Sequence, residues 1–175
     1  MALRNIITLP DPVLRRKARP ITTFDGDLQT LIDDMIETMR QAPGVGLAAP
    51  QVNIAERLIV VEYGDEVEDE NGEIIELPKK LFAVINPEII KTSEEVEMGV
   101  EGCLSIPGLV GEVERFSAIQ IKGLNRHGKP VKLKADGWLA RIFQHEIDHL
   151  NGVLFPDRAV KVWKPTEPIP VEAEG

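Results

Sequence analysis

The chain has 175 residues, enough for one ordinary domain with its own core and too few for two full-sized ones. An apolar fraction of 43% beside 28% charged residues fits a globular rather than a disordered chain. A net charge of −9 argues against a protein that grips nucleic-acid backbone, so no direct DNA binding is expected. The single cysteine, Cys103, excludes an intrachain disulfide and a disulfide-stapled secreted scaffold, which makes a cytoplasmic protein the expectation.

The first residues carry no signal-peptide pattern, and no run approaches the ~20 apolar residues of a membrane helix. Residues 24–41 read as an amphipathic helix. Leu28, Leu31, Ile32, Met35, Ile36 and Met39 fall on one stripe, Asp25 and Asp27 favour the N-terminal end, and Pro43-Gly44 stops it. Apolar runs 58–61 and 81–85 predict strands. Between them, residues 62–76 hold eight acids and no Lys or Arg, with Asn71-Gly72 inside, which predicts a solvated acidic hairpin or loop. Segments 89–96 and 118–124 are further strands. The turn 125–128 leads into the alternating strand around Val131, Leu133 and Ala135, and so short a link makes the pair antiparallel. A second helix opens at Gly137 and runs to about Leu150. It is apolar over much of its circumference and therefore buried, and Gly152 ends it. Residues 1–163 read as one domain, and residues 164–175 as a proline-rich acidic tail, extended or frayed. Helix, strands and helix without strand–helix alternation predict α+β architecture: mainly antiparallel sheets around a buried metal-binding helix, with an N-terminal amphipathic helix.

The chemistry sits on the second helix, in Gln144-His145-Glu146-Ile147-Asp148-His149. His145 and His149 are four apart, so both imidazoles project from one helix face and can share a cation, while Glu146 can reach a water beside it. Two histidines making ordinary hydrogen bonds near a helix end is the competing reading. A catalytic metal commonly has three protein ligands and one open position. A zinc endopeptidase would need a third histidine where Phe155 stands, or a downstream helical glutamate, whereas Glu167, Glu172 and Glu174 all lie in the proline-rich tail. Cys103 remains, either as a ligand or as a small buried apolar side chain.

Three motifs bear on that choice. Gly44-Val45-Gly46-Leu47-Ala48-Ala49-Pro50-Gln51, Glu101-Gly102-Cys103-Leu104-Ser105 and His145-Glu146-Ile147-Asp148-His149-Leu150 resemble, in order and at similar spacing, the three motifs of the peptide deformylases. The resemblance extends from the first amphipathic helix to Phe155. It implies a hydrolase that removes the formyl group from N-formylmethionyl nascent peptides, with Cys103, His145 and His149 holding one divalent metal. Fe(II) is the native ion implied, and Zn, Ni or Co can substitute. It implies Glu146 as general base and then acid, with the Gln51 side-chain amide and the Leu104 backbone N–H stabilising the oxyanion. Gly44, Val45, Gly46 and Gly102 are implied for main-chain pairing with the peptide, and Trp138, Ile142 and the stem of Arg141 for the methionine pocket. Glu101 is expected to pair with Arg115 rather than bind metal, and Asp148 either to orient a neighbouring group or to face solvent. A non-catalytic binder of formylated N-termini is disfavoured by intact Glu146, Gln51 and all three ligands. An encounter with the ribosome is compatible with the charge, because without the eight acids of 62–76 the chain would carry only −1. The short, proline-rich tail, acidic at its end, departs from the long basic tail of relatives that dock on the ribosome through a C-terminal helix, so that mode of docking is not expected.

Overall fold

The computed structural model describes residues 2–175. Helix α1 (Gly26–Gln41) starts where Asp25 accepts a hydrogen bond from the Leu28 N–H at 3.0 Å. Its six-residue apolar stripe is entirely buried. Strands β1 (Gly46–Ala48), β2 (Leu58–Tyr63), β3 (Glu66–Glu68), β4 (Ile74–Glu76), β5 (Lys80–Thr92), β6 (Val96–Cys103), β7 (Ile106–Phe116), β8 (Ala118–Leu124) and β9 (Pro130–Asp136) follow. Helix α2 (Gly137–Leu150), the single turn α3 (Phe155–Arg158) and β10 (Lys161–Trp163) come after them. The strands form a five-stranded sheet, β1-β2-β5-β8-β9, a three-stranded sheet, β10-β7-β6, and the hairpin β3-β4. Every pairing between these strands is antiparallel.

The larger sheet is covered on both faces, which explains its unbroken apolar run. On β2, Leu58 and Val60 join α1 in one buried cluster, while Ile59 and Val61 join Phe143, Ile147 and Leu150 of α2 in another. A strand sandwiched in this way has no solvent face and loses the polar alternation. Helix α2 ends at Gly152, whose φ is +73° and where an added Cβ would lie 2.4 Å from the Arg15 carbonyl, so no side chain fits. A third cluster, with Val13, Leu14, Ile106, Val113, Leu154 and Phe155, encloses Cys103.

The acidic excursion is indeed a hairpin, β3-β4, and Gly72 in its turn has a φ of +78°. The strand expectations differ in two places. Segments 81–85 and 89–96 are not two separate strands: all of the first and the first half of the second lie in the single strand β5, which is broken in register near Asn86-Pro87 and again between Ile89 and Lys91. The hairpin β6-β7 has no counterpart among the predicted strands, because its glycines and its partly exposed outer face hide the period of two.

Candidate functional site

Helix α2 presents His145 and His149 on one face, with ring centroids 5.1 Å apart. The bulged end of β6, where the register breaks between Gly102 and Cys103, brings the thiol to them. Donor atoms of Cys103, His145 and His149 all lie within 4.8 Å of one another, and all three side chains are buried. Cys103 Sγ is 3.4 Å from His149 Nε2. One thiol and two imidazoles form a soft three-donor set suited to a divalent transition metal. Around them, both carboxylate oxygens of Glu146 and Nδ1 of His149 are buried with no hydrogen-bond partner, which is costly unless something polar or charged is bound there. The residues fit a metal ion.

Glu101 organises the surroundings. Its Oε1 meets His145 Nδ1 at 2.9 Å, which leaves Nε2 as the donor facing the cluster. Arg115 forks onto the same carboxylate at 2.8 and 2.9 Å, and Arg141 Nη1 donates to it at 2.7 Å. Burial would raise the Glu101 pKa, but Arg115 and His145 outweigh it and hold the carboxyl far below the usual range. The expected Glu101–Arg115 pair is present. Asp148 is not a solvated acid: it accepts from Arg115 at 2.6 Å and from Arg158 at 2.6 and 3.0 Å.

Burial pushes the Glu146 carboxyl up to about 7. It also pushes His149 well below the usual histidine range, with the charge on His145 adding to the effect. Burial opposes protonation of His145 too, but its bonds with Cys103 and Glu101 override this and raise it.

The Gln51 side chain is fully buried. Its amide nitrogen reaches Ser105 Oγ at 3.1 Å and Cys103 Sγ at 3.7 Å, and its oxygen accepts from the Ala48 N–H at 3.0 Å. Gly46 lies against the Glu146 carboxylate, where an ideal Cβ would sit 2.4 Å from Oε2. Val45, Trp138, Arg141, Ile142, His145 and Glu146 line one small cavity beside the cluster. Arg141 contributes only its flank, since its guanidinium is held by Glu101, by the Val113 carbonyl at 2.9 Å and by the Glu97 carbonyl at 2.7 Å.

The 164–175 segment is not frayed. It turns back over this cavity. The Val45 N–H donates to the Glu174 carbonyl at 3.1 Å, and the Leu104 N–H to a main-chain oxygen of Gly175 at 3.3 Å. The Trp138 indole N–H donates to the Glu172 carbonyl. Gly102 forms an isolated parallel bridge with Glu174, and Gly44 lies beside the same residue.

Sequence reading missed what Ser105, Arg158 and Phe155 touch. The last stacks on His145 with centroids 6.4 Å apart and planes 20° apart. The sequence marks Phe155 only as standing where a third histidine would be, which gives no sign of this stacking. Ser105 closes the second motif without announcing its contact to Gln51, and Arg158 carries no signal apart from the fold.

The profile of the polypeptide deformylase family matches residues 3–164. The peptide deformylase of Halothermothrix orenii is 52% identical over 162 residues, covering 93% of this chain and 97% of the relative. That of Symbiobacterium thermophilum is 49% identical, covering 93% of this chain and 69% of the relative. The crystal structure of peptide deformylase from Thermotoga maritima superposes with a TM-score of 0.78 at 43% identity, covering 92% of this chain and all of that one.

Proposed function

The chain belongs to the peptide deformylase family, hydrolases that remove the N-formyl group of nascent peptides, and on that premise we propose how its residues divide the work. Cys103, His145 and His149 hold one divalent metal, Fe(II) in the native enzyme, with Zn, Ni or Co able to substitute. When bound, the metal supplies Lewis acidity for activating water and for offsetting charge on the formyl oxygen.

Glu146 takes the proton of the attacking water at its carboxylate and returns it to the amine nitrogen as the formyl C–N bond breaks. Two observations support this role: both of its oxygens are buried and free of partners, and it follows the first histidine directly. The Leu104 N–H donates to the oxygen on which charge develops, and the Gln51 amide is the second donor, moving from Ser105 to reach it. Both donors are neutral, so neither suppresses ionisation of the base. Glu101 fixes the tautomer and orientation of His145.

Gly44, Val45, Gly46 and Gly102 pair with the peptide backbone, which suits substrates that share only their first residue. Trp138, Ile142 and the flank of Arg141 receive the methionine side chain. Formylated nascent chains leaving the ribosome in the cytoplasm are the substrates, with the acidic β3-β4 hairpin turned away from RNA. Among the described residues no helix is long and apolar enough to cross a membrane.

The carrying observation is the convergence of three soft donors with an unpartnered buried carboxylate. The test is formate release from formyl-Met-Ala-Ser by anaerobically prepared protein, with metal measured on the same sample. Glu146→Ala retains its metal and loses ~10²–10⁴-fold in rate. A near-parental rate in that variant removes Glu146 from the mechanism, and cleavage of internal peptide bonds by the parent favours an endopeptidase.

A further inference from the structure

The groups assigned to the peptide substrate already have an occupant. Val45 and Leu104 give their N–H groups to the Glu174 carbonyl and a Gly175 main-chain oxygen, Gly102 bridges to Glu174, and Trp138 holds the Glu172 carbonyl. The Gly175 oxygen also lies 3.0 Å from His145 Nε2, so it rests on the proposed oxyanion donor and at the mouth of the ligand cluster together. Residue 175 is glycine at a place where an added Cβ would stand 2.5 Å from Glu146 Oε2 and 3.3 Å from the His145 ring. These residues fall outside the 3–164 region matched by the family profile, so the occupant is an addition to the shared body. None of the three buried clusters draws a residue from beyond Ala159, and the segment therefore closes the cleft without building the core.

We propose that residues 169–175 are an intramolecular pseudosubstrate, a strap that occupies the peptide-binding edge and must leave before a formylated chain can bind. The proposal rests on the cleft being the deformylase site. The contacts to Val45, Trp138 and Gly102 involve no metal ligand, so they do not depend on whether the centre is loaded. The strap engages mostly through its backbone, as a nascent peptide of any sequence would, and competition between the two is direct. A tethered ligand acts at an effective concentration in the millimolar range, so a weak strap is enough to raise the apparent KM. Only the open fraction binds substrate, and a fivefold effect corresponds to a cleft closed about four-fifths of the time.

Gly175→Val, and separately a variant lacking residues 169–175, test this in the metal-loaded full-length protein carrying Trp163→Phe, so that Trp138 is the only indole. Expected are a KM for formyl-Met-Ala-Ser at least fivefold lower than the parent's with kcat within twofold, equal metal content, and a shifted Trp138 emission. The synthetic peptide Pro-Ile-Pro-Val-Glu-Ala-Glu-Gly, residues 168–175, restores the emission of the shortened variant and raises its KM competitively. Unchanged Trp138 emission in both variants, or no competition by the peptide at 1 mM (about the effective concentration of a short tether), overturns the proposal. If no protein releases formate, the activity reading fails, while the emission and the peptide still decide whether the strap docks.

Discussion

A single methyl group at residue 46 tests whether the geometry of Glu146 governs the rate. An ideal Cβ on Gly46 would lie 2.4 Å from Glu146 Oε2, 2.8 Å from Cδ and 2.9 Å from Cγ, whereas ordinary contact begins at 3.4 Å. Because Cγ is crowded as well as the carboxylate, turning the last bond gives no relief, and the end of the side chain must retreat by about 1 Å, the gap between 2.4 and 3.4 Å. Strand β1 cannot yield instead without disturbing its pairing of Gly46 with Val61 and Leu47 with Val60, and Glu146 itself is fully buried. A displacement of ~1 Å at a reacting group costs on the order of 10²-fold in rate, or about 2.7 kcal/mol of barrier. Gly46→Ala should therefore lower kcat for formate release from formyl-Met-Ala-Ser by about 10²-fold, with the metal retained and the overpacking costing about 1–3 kcal/mol of stability. Gly26→Ala is the control: a Cβ there meets nothing within 4 Å, in the first turn of α1, and activity should match the parent. A Gly46→Ala protein that keeps its metal and turns over within threefold of the parent (a barrier change under ~0.7 kcal/mol) refutes the assignment of Glu146 as the positioned acid/base.

Cys103→Ala removes one of the three proposed ligands, and elemental analysis after desalting should find metal well below one equivalent; full occupancy takes the thiolate out of the site. Glu101→Gln leaves Arg115 and Arg141 buried without their shared carboxylate, and should cost ~3–5 kcal/mol in urea unfolding at pH 7. The pH dependence follows in sign. The folded carboxyl of Glu101 titrates below its unfolded value, so its contribution is whole above the unfolded pKa of ~4.3 and declines as pH falls through and below it. The parent should therefore lose stability through that acid range more steeply than Glu101→Gln; parallel pH profiles contradict the ion-pair account.

Much of this arrangement is legible in the amino-acid sequence. Helix α1 reveals itself because its stripe faces one side of a sheet. Helix α2 and the pair His145 and His149 are legible because four-residue spacing maps directly onto a helix face. The strands of the hairpin β8-β9 alternate cleanly because their outer face meets water. The hairpin β6-β7 escapes, since Gly99, Gly102, Gly108 and Gly111 interrupt its pattern, although it is the element that carries Cys103 to the histidines. Ser105 beside Gln51, and Arg158 beside Asp148, are brought together by tertiary packing alone, and no local spacing announces them. The docking of Glu174 and Gly175 is equally silent in sequence, because it uses backbone atoms that every residue possesses.

The Glu101 carboxylate has a consequence for how this protein can vary. Its two oxygens serve Arg115 on β7, Arg141 on α2 and the imidazole of His145 at once. A mutation there alters the donor strength of a ligand and unclasps helix from hairpin in the same stroke. Reactivity and foldedness are thus inherited together at this position, and a lineage that retunes its metal must do so from elsewhere: from the far side of His149, whose Nδ1 answers to no neighbour, or from the glutamine beside the sulfur.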